Sequence, residues 1–156
     1  MAAFSGMGHI ALRVNDLERS LAFYGKLGFE EFLRLTQEDG RPWIAYLRVS
    51  DDLFIELFPG GDGGTAPGPE HTGVHHLCLT TEDIEQTAAH LTALGIDATA
   101  PLVASHRGVD GNRGMWIADP DGNRIEIMEM APDCAQFEAL TALRNGGPPQ
   151  VLVRPM

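Results

Sequence analysis

Gly8-His9-Ile10-Ala11-Leu12-Arg13-Val14 is the first patterned stretch of the chain, and its core returns as His75-His76-Leu77-Cys78-Leu79. At a constant shift of 67 positions (9 to 76), residues 8–29 fall on 75–96 and pair His9 with His76, Leu12 with Leu79, Asp16 with Asp83, Glu18 with Glu85, and Leu27-Gly28 with Leu94-Gly95. A second match, shifted by 70 (56 to 126), sets Phe54-Ile55-Glu56-Leu57-Phe58 against Arg124-Ile125-Glu126-Ile127-Met128. Self-similarity of this kind marks a duplicated structural unit. Each copy supplies one histidine and one glutamate at matching places, so His9, Glu56, His76 and Glu126 are nominated together for one active site.

Working outward, residues 8–14 alternate, with Ile10, Leu12 and Val14 on one face and His9, Ala11 and Arg13 on the other, the period of a half-buried strand. Asp16 then caps a helix whose Leu17, Leu21, Tyr24 and Leu27 recur at helical spacing, and Gly28 ends it. Strands are predicted over 29–36, 43–49 and 53–58, split by turns at Glu38-Asp39-Gly40 and Ser50-Asp51-Asp52. The order is βαβββ. Residues 59–73 are rich in Gly and Pro and read as a flexible connector. The second copy repeats the order: a strand over 74–80, a helix capped by Thr80 or Thr81 and stopped by Gly95, and strands near 96–100, 114–118 and 124–130, with Asp119-Pro120-Asp121-Gly122-Asn123 as the turn before the last. Asp133 is expected to cap a final helix bearing Phe137, Leu140 and Leu143, which covers exposed sheet or meets another subunit rather than forming a lid over the site.

The expected fold class is therefore α+β, a single domain over 1–156: module one 8–58, linker 59–73, module two 74–130, and a C-terminal helix and tail over 131–156. The 44% apolar and 21% charged residues are those of a soluble globular protein, and no apolar run approaches a membrane span. A net charge of −11 repels phosphate backbones and anionic membranes, which argues against nucleic acid as a partner. Met1-Ala2-Ala3-Phe4-Ser5 lacks a signal-peptide pattern and the 2 cysteines have no motif spacing, so a cytoplasmic protein is expected.

The chemistry of the four residues follows from their faces. Ile55 and Leu57 flank Glu56, and Ile125 and Ile127 flank Glu126, so both carboxylates point away from the aliphatic side, onto a surface that also bears Phe54, Phe58 and Met128. An ionised carboxylate there is costly to desolvate alone and calls for a cation. Two imidazoles and two carboxylates suit one divalent ion such as Ni, Co, Mn, Fe or Zn, and an octahedral ion keeps two positions open for substrate. By alternation His75 belongs on the helix side; His71, His90 and His106 read as surface residues. Cys78 shares the face of His76, while Trp43, Tyr46 and Trp116 stay unassigned because the parity of their strands is open.

The motif Gly8 to Val14 followed by Asp16-Leu17 and Ser20-Leu21-Ala22-Phe23-Tyr24, together with Asp119-Pro120-Asp121-Gly122-Asn123-Arg124-Ile125-Glu126, resembles the vicinal oxygen chelate superfamily, which includes glyoxalase I, methylmalonyl-CoA epimerase, extradiol dioxygenases, fosfomycin resistance enzymes and bleomycin-binding proteins. The resemblance covers residues 8 to about 130. It implies tandem βαβββ modules curving into a mixed-sheet cup with helices outside, the glyoxalase/bleomycin resistance/dihydroxybiphenyl dioxygenase fold, around a metal held by His9, Glu56, His76 and Glu126. It also implies a metal-dependent lyase, isomerase or epimerase that moves a proton beside a carbonyl through a metal-bound enediolate of a small-molecule substrate, with Glu126 first and Glu56 second as the catalytic base, commonly in a homodimer. Arg13 matches the position that binds the carboxylate of glutathione in glyoxalase I; a salt bridge is the other reading. The run Phe58-Pro59-Gly60-Gly61 departs from the glutathione-binding segment, and a glutamate rather than an amide at 56 leans toward a glyoxalase-like site. An iron-dependent dioxygenase, with one carboxylate ligand, and a non-catalytic drug-binding protein are the alternatives, and four retained ligands argue against both.

Overall fold

The computed structural model of the protein describes residues 3–104 and 106–153, so the first two residues of the N-terminal reading and positions 154–156 of the expected tail lie outside it. The chain divides into two compact units. Of the described residues, the first unit holds those up to Gly68 together with Asp119–Asn123, and the second holds those from Pro69 to Ala118 and from Arg124 onward.

In the first unit, β1 (His9–Val14), α1 (Leu17–Lys26), β2 (Glu31–Thr36), β3 (Pro42–Arg48) and β4 (Phe54–Pro59) follow in the expected βαβββ order. The sheet order is β1-β4-β3-β2, with β1 parallel to β4 and the other neighbours antiparallel. A parallel pair needs a long crossover between its strands, here α1, β2 and β3. Asp16 caps α1 by accepting a hydrogen bond from the Arg19 amide (3.0 Å), and Gly28 takes a φ of 87° past its end. The helix buries Leu17, Ser20 and Tyr24, while the core side of the sheet supplies Val14, Ala45, Leu47, Ile55 and Leu57. The glycine-rich stretch after β4 is tied down rather than loose through residue 66: Gly61 N–H donates to Val14 O, Gly63 N–H to Asn15 Oδ1, and Ala66 N–H to Asp121 O. Asp121 in turn accepts from the amide and side chain of Asn15 and from Arg19, and Asp119 accepts the buried Tyr24 hydroxyl at 2.9 Å.

The second unit contains β5 (Leu77–Thr81), α2 (Ile84–Ala93), β6 (Arg113–Ala118), β7 (Arg124–Glu129) and α3 (Ala135–Arg144). Its sheet order, β5-β7-β6, repeats the parallel and antiparallel pairings of the first unit. The strand expected near 96–100 shrinks to one bridge, Ala100 with Trp116. Thr99 and Ala100 reach Trp116 O, but Pro101 has no N–H to extend the ladder, and Ile96 turns into the core. The cap of α2 is Asp83, not Thr80 or Thr81: its carboxylate accepts from the Gln86 amide (2.9 Å) at the place the repeat assigns to Asp16. Likewise the cap position of α3 is Cys134, not Asp133, and it has no side-chain cap: Ala135 N–H donates to Asp110 O and Gln136 Nε2 to the Asp110 carboxylate. Phe137, Leu140 and Leu143 on α3 are exposed. Among the described residues no helix is long and apolar enough to cross a membrane.

Candidate functional site

In the first unit the register sets Ala11 beside Glu56, and Tyr46 across from it on the other side. Residues directly paired across strands share a face, so His9, Ala11, Arg13, Tyr46, Phe54, Glu56 and Phe58 occupy the face opposite the helix. His9 Nδ1 lies 3.6 Å from Glu56 Oε1. Glu56 is buried, and the Tyr46 phenol beside it is held above its ordinary pKa by desolvation and then by the Glu56 charge and hydrogen bond. Phe32 stands against both Tyr46 and Phe54, giving this face an aromatic floor.

The second unit repeats the arrangement with different chemistry. Cys78 lies beside Glu126 and Trp116 across from it. His76, just before β5, sets Nε2 3.1 Å from Glu126 Oε2. His75 departs from the alternation expected of it: the strand starts only at Leu77, and the His75 ring sits next to His76 with the two Nδ1 atoms 2.6 Å apart. Arg124 Nη1 is 2.9 Å from His75 Nε2, and its guanidinium lies 4.4 Å from the centre of the Trp116 ring. Because a guanidinium only donates, His75 Nε2 accepts; with both rings neutral, His75 Nδ1–H then donates to His76 Nδ1 and His76 Nε2–H to Glu126. A depression of about 170 Å³ beside Glu126 is lined by Trp116, Met128, Asn112, Asp110 and His106, so His106 belongs to this neighbourhood, whereas His71 and His90 are exposed elsewhere.

Tyr46 and Trp116 were within reach of the sequence. The shift of 70 that pairs the glutamates also carries 46 to 116 and 54 to 124. Arg13 donates from Nη1 to Pro59 O and lies 5.9 Å from the Phe58 ring centre; among the described residues no carboxylate is within ion-pair distance of it, so the salt-bridge reading is not what the structure shows. It borders a depression of about 400 Å³ with Asn15, Gly61, Asp62 and Thr65. Trp43 remains exposed at the start of β3.

Each unit thus gathers one histidine and one glutamate, and no group of three or more His, Cys, Asp or Glu able to hold a metal occurs among the described residues. A family model, that of the Glyoxalase/Bleomycin resistance protein/Dioxygenase superfamily, matches residues 6–127. The chain belongs to this superfamily. Similar proteins include the uncharacterised protein YaeR of Escherichia coli, 29% identical over 131 residues covering 83% of this chain and 99% of that protein. A lactoylglutathione lyase of Pseudomonas aeruginosa is 27% identical over 146 residues, covering 78% and 80% of the two chains. The crystal structure of a glyoxalase family protein from Enterococcus faecalis superposes with a TM-score of 0.68 at 27% identity, over 81% of this chain and 98% of that one. Divalent-metal binding is typical of the superfamily, and the donors here fit such an ion: imidazole nitrogens and carboxylates, two per unit, on the sheet face that the helices leave free.

Proposed function

We propose that this protein is a divalent-metal-dependent lyase or isomerase of the glyoxalase kind, moving a proton on the carbon beside a carbonyl of a small oxygenated substrate. The observation that carries the reading is the duplicated pair, His9 3.6 Å from Glu56 and His76 3.1 Å from Glu126, with the two glutamates at equivalent register opposite Ala11 and Cys78. One ion of Ni, Co, Mn, Fe or Zn held by these four would supply Lewis-acid stabilisation of oxyanion charge developing on the substrate. The relatives named lactoylglutathione lyases support the lyase reading.

The proton-carrying residue in this reading is Glu126. Its carboxylate borders an open depression walled by Trp116 and Met128, where a substrate carbon can approach, whereas Glu56 is buried and engaged by Tyr46. Glu56 is the second choice for the base. Arg13, without a carboxylate partner among the described residues, is the residue assigned to an anionic group of the substrate. The reading includes a homodimer and a reducing, cytoplasmic setting in which Cys78 and Cys134 stay thiols.

The test is elemental analysis of protein purified without chelator, joined to NMR detection of solvent deuterium entering the lactoyl C–H of S-lactoylglutathione and of free 2-hydroxy carbonyl compounds. About one divalent ion per chain is expected, with deuterium exchange that Glu126→Gln abolishes while the fold stays intact. Full exchange in that variant removes Glu126 as the base. A protein that carries no metal and refuses added divalent ions overturns the catalytic reading.

A further inference from the structure

Among the described residues, five arginines of this acidic chain are neutralised locally. Arg19 pairs with Asp121, Arg34 with Glu18 and Glu31, Arg41 with Asp39, Arg48 with Asp51, and Arg113 with Glu85 and Glu129. Of the others, Arg13 and Arg107 donate to the backbone carbonyls of Pro59 and Gly111, whereas Arg124 lies on a tryptophan ring beside Glu126. Among the described residues no carboxylate lies within ion-pair distance of it, although Glu126 is two positions away on the same strand face; its contacts are the Trp116 ring and His75. The repeat does not require a cation there, because the equivalent position in the first unit is Phe54, packed against Phe32. A guanidinium laid on an indole keeps its outer N–H edge oriented at small entropic cost, and that fork matches the two oxygens of an oxyanion.

We propose that Arg124, oriented by Trp116 and His75, is a substrate-binding residue that takes an oxyanion, a carboxylate or a phosphate, next to Glu126. This deepens the reading above, on which it rests for the identity of the neighbouring reaction centre, by restricting the substrates to anions. His75 holds the guanidinium in place while the site is empty and is exchanged for the stronger, charge-assisted contact when the anion arrives.

Trp116 reports on the event. In a Trp43→Phe background it is the sole fluorophore of the 2 tryptophans. The full chain is titrated with glycolate, with inorganic phosphate and with neutral glycolamide, first as purified and again after EDTA treatment and dialysis into chelator-free buffer. Saturable quenching by glycolate or phosphate is expected in both states, the stronger of the two identifying the oxyanion. Arg124→Gln should weaken it by about ten-fold or more, the worth of a charged hydrogen bond. Arg124→Lys should fall between the two, retaining charge without the stacked fork. Far-UV circular dichroism verifies that the variants are folded. Equal binding by wild type and both variants, or an equal response to glycolamide, overturns the proposal. Metal content separates the two readings: Arg124→Gln should leave it unchanged, and a protein that binds the anion but no metal would sink the catalytic reading alone.

Discussion

His76 Nε2 stands 3.1 Å from Glu126 Oε2, as close as a direct hydrogen bond, while the corresponding His9 pair with Glu56 is looser at 3.6 Å. Each pair offers two donors, fewer than a divalent ion accepts, so the four-donor reading needs the pairs to meet. Complementation tests whether they meet between the chains of a homodimer. Chains carrying His9→Ala and chains carrying His76→Ala, each deficient in metal alone, are mixed, unfolded together and refolded. Random pairing puts one intact site in every mixed dimer, so binding should recover to about a quarter of the wild-type capacity. No recovery would mean that each site is built within a single chain.

Cys78 sits directly beside Glu126. Burial of the thiol, then the Glu126 charge and hydrogen bond, push its pKa up to about 11. The thiol form therefore dominates at neutral pH, and alkylation by iodoacetamide at pH 8 should be slower than for a free cysteine, rising toward pH 11. Glu126→Gln should speed it by removing the carboxylate, though not to the rate of a free cysteine, since burial is the larger cause. Cys134 is buried and should contribute no fast phase. Mass spectrometry of the labelled peptides distinguishes the two, and an unchanged rate in Glu126→Gln would break the proposed coupling.

Much of this was legible in the chain because alternation and repetition are local signals. The faces of β1, β4 and β7 follow from every second residue, and Asp16 and Gly28 announce the ends of α1. The cap of α2 went astray although the repeat had already paired Asp83 with Asp16; local threonines offered the same chemistry, and only the register separates them. His75 was misplaced because strand parity says nothing about a residue before the strand begins. The glycine-rich stretch reads as loose by composition, yet its amides find Asn15 and Asp121, partners 48 and 55 residues away in sequence that no local pattern reveals (63 to 15; 66 to 121). Nothing local marks Arg124, because its neighbours His75 and Trp116 come from elsewhere in the chain.

Tyr24 gives the last prediction. Its side chain is fully buried on α1, and its hydroxyl donates to Asp119 Oδ2, a carboxylate that also accepts from the amides of Asp121 and Asn123 and from the Asn123 side chain. Burial first, then the Asp119 charge and hydrogen bond, then the Asp121 charge, drive the phenol far above its ordinary value of 10.0. The folded-state pKa is thus raised over the unfolded one, so the stabilisation is fully present below about pH 10 and is lost as pH climbs beyond it. Deprotonation would place a phenolate against two carboxylates in the interior, and the chain should unfold instead. Tyr24→Phe removes the donor and leaves Asp119 with its other three bonds, at a cost of about 1.5–3 kcal/mol for a hydrogen bond to a charged group. Urea unfolding at pH 7.5 should show that loss, and repeating it at pH 10.5 should show the gap between wild type and variant narrowing. A gap that stays constant across this range would mean that the Tyr24 hydroxyl is not the group linking the fold to alkaline pH.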